Sequence, residues 1–413
     1  MLKQFIVAVF ILSTSIALAQ EGTRSPYSYY GIGTLKFKGT TENRSMGGIS
    51  ILSDSIHMNL QNPAAIADLR LVNYTVGASH QYTTLNTANE SQKASATSLE
   101  YIAVGIPMGK FGASFGLIPY TSVGYQIESV DGDDITQYGG TGGVNKVFLN
   151  LGYKINDAFN IGVTTDYNFG SIENTTYTRQ GDAQFGTQEF LRSELSGFSF
   201  NLGANYKTML TDNLQLSTSL AYSLESDFRS KNLKQIGTVQ ELPLGGVRPI
   251  DLRDVDVADS DFTFPSKYTI GAGIGKPKNW FVGLEYGNQK TSNLNNRTIE
   301  VEGQDFEDAN SFRLGGYYIP NYNSVGSFWK RSVYRAGMRF EETGIVLNGE
   351  KITEFGISFG VGLPVGKIFS NANIGFEIGK RGVKDFGLVQ ENFFNTFLSL
   401  SLNDRWFEKR YYD

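Results

Sequence analysis

From Val72 onward, apolar and polar positions alternate with a period of two. Leu214, Leu216, Thr218, Leu220, Tyr222 and Leu224 stand against Gln215, Ser217, Ser219 and Glu225. Ile374, Phe376 and Ile378 likewise oppose Asn373, Gly375, Glu377 and Gly379, and Phe394, Leu398, Leu400 and Leu402 oppose Asn395, Ser399 and Ser401. Successive side chains of a strand point to opposite faces, so each stretch has one greasy and one small or polar face. About fourteen strands are predicted, near 72–82, 99–106, 111–121, 144–154, 158–169, 187–207, 213–226, 265–275, 279–290, 310–318, 330–340, 351–363, 368–380 and 392–402.

The connections carry a second signal. Short turns at 107–110, 156–157, 209–212, 276–278 and 364–367 alternate with long polar links at 83–98, 122–143, 170–186, 227–264, 291–309, 341–350 and 381–391; 319–329 is intermediate. A transmembrane barrel segregates its connections in this way, and an even strand count returns both ends to the short-turn side. The fold class predicted is therefore all-β: an antiparallel transmembrane β-barrel of about fourteen strands, over 72–403. Ahead of it, residues 1–19 read as a signal peptide, with Lys3, the apolar run Phe5–Leu18 and the small residues at Ala17 and Ala19. Residues 20–71 form an irregular N-terminal segment with a helical turn near 56–71, and 404–413 a periplasmic tail.

Within that segment stand Arg44-Ser45-Met46-Gly47-Gly48 and Asn62-Pro63-Ala64. Gly47 and Gly48 permit backbone that larger residues cannot follow, and Asn-Pro begins a turn. Met46, Gly47, Gly48, then Asn62, Pro63 and Ala64, then a barrel, resembles the FadL family of outer-membrane channels for long-chain fatty acids and other hydrophobic molecules, and the extension Asn403–Asp413 past the closing strand resembles members associated with Bacteroidetes-type bacteria. Ala65 departs from the glycine usual there. The resemblance implies an N-terminal plug inside the barrel and fourteen strands. It also implies a kink in the third strand for lateral ligand release, at Pro119 and Gly124. Pro119 supports this on its own account, because proline cannot donate to a β-ladder. The same proline is also consistent with simple fraying above the membrane.

Composition narrows the chemistry. The chain has no cysteine, two histidines and a formal charge of -5, which excludes disulfides and thiolate metal sites and disfavours a nucleic-acid surface. Gly112–Gly116 and Gly356–Gly360 match a nucleophile-elbow pattern but lie inside strands, where alternating small residues produce such matches by chance. Gly271–Gly275 lacks the helix a phosphate loop requires. Asp254, Asp256 and Asp259 in the longest link read as a solvated acidic loop, with Ca²⁺ the alternative. Asp166, Glu225, Glu285, Arg335, Arg339 and Glu377 fall on polar strand faces and are expected in the lumen as a structural network, an Arg clamp on a ligand carboxylate being the alternative. No catalytic residue and no cofactor is expected.

The function expected is passive uptake of hydrophobic or amphipathic small molecules across the bacterial outer membrane, with release near the strand-3 kink. The partners are then outer-membrane lipid and a hydrophobic ligand. The alternative is an accessory subunit of an outer-membrane protein machine, PorV-like in type 9 secretion or associated with barrel assembly, whose partners are other outer-membrane proteins. The link 227–264 and the tail would then dock them.

Overall fold

The computed structural model describes residues 22–242, 246–294, 304–365 and 370–406. The signal peptide, the tail beyond Trp406 and the second half of the turn at 364–367 lie outside the described residues.

One antiparallel sheet closes on itself. Its strands are β1 (Thr34–Leu35), β2 (Val72–Asn86), β3 (Ser91–Met108), β4 (Phe111–Pro119), β5 (Thr121–Asp131), β6 (Asp134–Lys154), β7 (Phe159–Arg179), β8 (Gly186–Thr211), β9 (Leu214–Ser223) and β10 (Ser226–Glu241). They continue as β11 (Val247–Val255), β12 (Ser260–Phe264), β13 (Lys267–Lys276), β14 (Trp280–Gln289), β15 (Gln304–Phe306), β16 (Ala309–Tyr318), β17 (Val333–Leu347), β18 (Glu350–Val365), β19 (Ser370–Arg381) and β20 (Gln390–Asp404). β4 with β5, β9 with β10, and β12 with β13 each make one interrupted pass, so fourteen passes form the wall. Val72 opposite Asp404 begins the seam that closes it.

The alternation sorts as expected. Leu284, Leu314, Met338, Ile357, Ile378, Phe394 and Tyr82 are neighbours in register across seven strands, and all are exposed. An apolar band this wide is one that water would not tolerate and a bilayer would cover. Tyr167, Phe169 and Phe198 border it, with Tyr167 and Phe198 at 5.1 Å.

Several links read as loops are strand instead. The predicted links 122–143, 170–186 and 227–264 hold most of β5, β10–β12 and the outer halves of β6 and β7. Gly170–Arg179 alone continues β7 past Phe169, and at about 3.4 Å per residue this raises the sheet by about 30 Å. Apolar residues are sparse there, and those present, such as Ile172, Tyr177, Phe228 and Val239, are buried on the inward face, so no two-residue alternation of greasy and polar faces marked them. Glu225 is also corrected: it lies in the break between β9 and β10 and is exposed rather than lumenal.

Candidate functional site: the plug and the wall opening

The segment 22–71, called the plug below, is largely buried against the wall. Its Pro63–Asp68 turn is a 3-10 helix capped by Asn62, whose Oδ1 accepts from the Ala64 N–H at 3.0 Å. Asn62 is fully buried and donates through Nδ2 to Asn205 Oδ1 at 2.6 Å. The wall receives this turn on four glycines in register, Gly112, Gly152, Gly162 and Gly203. A Cβ at Gly162 would stand 2.4 Å from the Pro63 carbonyl carbon, and one at Gly203 2.2 Å from Asn62 Oδ1. Only glycine lets the two backbones approach this closely.

A second seat takes Met46 and Gly47. Gly283, Gly315 and Gly337 are in register, followed by Ser358, whose Oγ accepts the Gly47 N–H at 2.9 Å. A Cβ at Gly315 would stand 1.9 Å from the Met46 carbonyl oxygen. Gly47 and Gly48 have φ of +67° and +86°. Five of the six motif residues therefore sit on two glycine ladders of the wall, while Gly48 faces Phe37 and Arg313.

Charge ties the plug down between the seats. Arg44 reaches Glu377 at 3.2 Å and Glu100 at 3.7 Å, and Arg339 bonds Glu377 at 2.7 Å. Arg339 also pairs with Glu354, which holds Arg381. Glu285 accepts from both the N–H and the Oγ of Ser50 at 2.7 Å, and Arg313 spans Glu285 and Glu341. Of the predicted lumen residues, Glu285, Arg339 and Glu377 join this network. Asp166 pairs instead with Lys146 at 3.4 Å, and Arg335 with Asn373 at 3.1 Å. Arg44, Arg313, Glu341, Glu354 and Arg381 escaped the sequence reading, although Arg313 stands on the polar face opposite Leu314 and alternation places it inward.

The acidic stretch does not converge. Asp254 accepts from Gln235 at 2.8 Å, Asp259 pairs with Arg229 at 3.3 Å, and Asp256 is exposed. Among the described residues no three His, Asp or Glu side chains come together as a metal site.

The wall is interrupted at Tyr120. The ladder between β3 and β4 runs from Met108 to Ile102, opposite Leu117. Beyond it Ser91–Tyr101 of β3 pairs with β2, and among the described residues no ladder joins it to β5. The plug supplies a substitute partner from inside: Thr34 lies opposite Ser122, Leu35 opposite Thr121, and the Lys36 N–H donates to the Tyr120 carbonyl at 2.9 Å. Leu35 is exposed. Pro119 ends β4 opposite Asn145, itself opposite Phe169, so the opening lies at the aromatic border of the apolar band. Gly124 is not free space: its N–H donates to Ser28 Oγ at 3.0 Å, and a Cβ would meet the Thr23 carbonyl.

Two adjoining cavities lie inside this opening. One, of about 250 Å³, is lined by charged and polar groups including Lys36, Lys38, Lys146, Lys267, Tyr120 and Arg381. The other, of about 160 Å³, is mainly aromatic and aliphatic, with Tyr27, Tyr30, Ile32, Phe264 and Phe306. Leu35 borders both. A third cavity of about 650 Å³, lined by Asp54, His57, Lys207, Lys278 and Arg335, lies at the short-turn end.

The whole architecture has counterparts among solved structures. The Pseudomonas putida toluene transporter TodX aligns with a TM-score of 0.58 at 15% identity, over 90% of this chain and 98% of that one. The Ralstonia pickettii toluene transporter TbuX gives 0.56 at 15%, over 89% and 99%. A Pseudomonas aeruginosa FadL homologue gives 0.57 at 13%, over 90% and 98%. At this identity the likeness establishes the fold, and it agrees with the resemblance carried by the two plug motifs. Comparison with curated proteins by sequence gives no match. A family model does match, over residues 1–413, and its description is BamG: the chain belongs to the BamG family.

Proposed function

We propose that the chain is an outer-membrane barrel that passes a hydrophobic or amphipathic small molecule between its lumen and the bilayer through the gap between β3 and β5. The carrying observation is that gap: a wall strand is missing on one side of β5, and a two-residue plug strand stands in its place. An apolar cavity beside a charged one suits a ligand with a tail and a polar head. Burial of the tail supplies about 0.8 kcal/mol per CH₂. The toluene transporters and the FadL homologue support a hydrophobic cargo by fold alone. The experiment is oleate accumulation by cells producing the protein, against cells lacking it and cells producing Pro119→Ala. Uptake above background, lowered by Pro119→Ala in a folded barrel, is expected. Uptake at background for the wild-type chain overturns the proposal.

A second reading has its own observation. β6, β7, β8, β10 and β11 run well past the aromatic border, further than a channel rim needs, and β11 presents an edge outside. This favours a docking subunit of an outer-membrane machine, such as one for barrel assembly or secretion. Native mass spectrometry of the particle purified in mild detergent separates the two: stoichiometric protein partners favour docking, a lone barrel with a lipid-like adduct favours transport.

A further inference from the structure

The cations of the lumen fall into two groups. Arg44, Arg313, Arg339 and Arg381 each hold at least one carboxylate. Four lysines form the other group, and all line the 250 Å³ cavity. Lys146 is buried, pairs with Asp166, which Asn201 shares, and stands 3.4 Å above the Tyr120 ring. The Lys36 ammonium donates to the Gly22 carbonyl. Lys38 and Lys267 have no side-chain hydrogen bond or close ion pair among the described residues, and the carboxylates that act on them at longer range are Asp166 for Lys38 and Glu341 and Glu285 for Lys267.

Their height in the barrel matters. Lys146 lies opposite Ile118, one residue from the break at Pro119–Tyr120. Lys36 bonds Tyr120 itself. Lys267 precedes Tyr268, which is exposed beside Tyr222 and stands 6.1 Å from Tyr286 on the outer surface. Outward aromatic rings mark the level of the lipid headgroups. Lys36, Lys146 and Lys267 therefore stand at headgroup depth, inside an opening at the same depth, and Lys38 lines the same cavity. A cluster of cations there is costly to keep uncompensated and attracts anionic lipid. A purely apolar cargo leaving for the hydrocarbon core needs neither feature.

We infer that the opening admits a membrane amphiphile with an anionic head, phosphate or carboxylate, from the outer leaflet, and that Lys38 and Lys267 bind the head while the aromatic cavity takes part of the tail. This rests on the reading of the gap as a route. It narrows the cargo to anionic lipids and puts their source in the bilayer rather than in solution.

The test uses the full barrel in nanodiscs with photoreactive phosphatidylglycerol or phosphatidylcholine, the cross-linked residues being mapped by mass spectrometry. Labelling near Leu35 and Tyr120 is expected to favour phosphatidylglycerol, by roughly five-fold for each uncommitted lysine. Lys38→Gln with Lys267→Gln should bring the two lipids level while labelling at Leu35 persists, and inorganic phosphate should not displace the lipid. Equal labelling of both lipids by the wild-type barrel overturns the headgroup assignment and leaves the gap standing as a route. No labelling of either lipid at the opening overturns the route itself. Displacement of phosphatidylglycerol by inorganic phosphate at millimolar concentration overturns the membrane source and makes the site one for soluble anions.

Discussion

Of the three interruptions in the wall, those between β4 and β5 and between β9 and β10 have opposite consequences. At Leu224–Glu225, β9 gives way to β10, but β8 runs unbroken past both and pairs with each. On the other side β13 and β12 follow the same course. The sheet bends and stays whole. At Pro119–Tyr120, β4 gives way to β5 and β6 follows both, yet β3 follows only β4. One edge diverges, and the plug strand β1 covers part of it. An interruption thus opens a barrel only where a neighbour declines to follow it. Proline alone does not make that difference: Pro265 stands in the break between β12 and β13, where β9 and β10 follow and the sheet stays whole.

The largest expected effect comes from unseating the plug. Gly162→Val puts side-chain atoms into Pro63, and overpacking of this kind costs about 1–3 kcal/mol. The variant should lose thermal stability and, where it still folds, show raised conductance in planar bilayers, because β1 leaves the first break when its anchor fails. The same substitution at Gly139, where a Cβ meets nothing within 4 Å, should change neither measurement.

The next effect comes from locking each break. The chain has no cysteine, so introduced pairs form without competition. Opposed residues of antiparallel strands lie within disulfide reach. Oxidised Leu35→Cys with Thr121→Cys should block uptake and recover on reduction. Leu202→Cys with Tyr222→Cys, a pair beside the second break, should leave uptake unchanged in either state.

Pro119→Ala is milder. It restores one donor, and a hydrogen bond is worth about 1 kcal/mol net. Uptake should fall by roughly five-fold, while melting of the barrel shifts little.

The smallest effect lies at the short-turn mouth, away from both breaks. His57 Nδ1 stands 2.8 Å from Asp54 and Nε2 3.1 Å from Asn371. Burial works against the charged imidazole, but the Asp54 carboxylate and its hydrogen bond outweigh it, so the His57 pKa is raised. A raised folded pKa means that the folded protein holds the proton more tightly. The stabilisation is complete below the ordinary histidine value of about 6.5 and is lost as pH rises through the raised one. Thermal scans across that window should slope for the wild type and flatten for His57→Gln.

Much of this fold was legible because the wall sets an apolar, exposed face against a small or polar one: wherever that contrast holds, the strands read correctly. Above the aromatic border the exposed face turns polar and only scattered residues such as Ile172, Tyr177 and Phe228 are buried inward, so Gly170–Arg179 and Ser226–Glu241 read as loop. The parity used for Glu225 failed because the chain breaks beside it and resets which face is which. The plug motifs were visible as residues, but their seats were not. Gly112, Gly152, Gly162 and Gly203 are spread over four strands and become one ladder only once register is known. The same holds for Lys36, Lys38, Lys146 and Lys267, the first two from the plug segment and the others from the distant strands β6 and β13.

The central claim is that the strand Thr34–Leu35 closes a genuine gap in the wall. Oleate uptake by the Leu35→Cys/Thr121→Cys barrel, oxidised and then reduced in the same preparation, tests it most directly. Uptake abolished by the cross-link and restored by its reduction is the result predicted. Equal uptake in both states would mean that nothing passes between β3 and β5, and would contradict it.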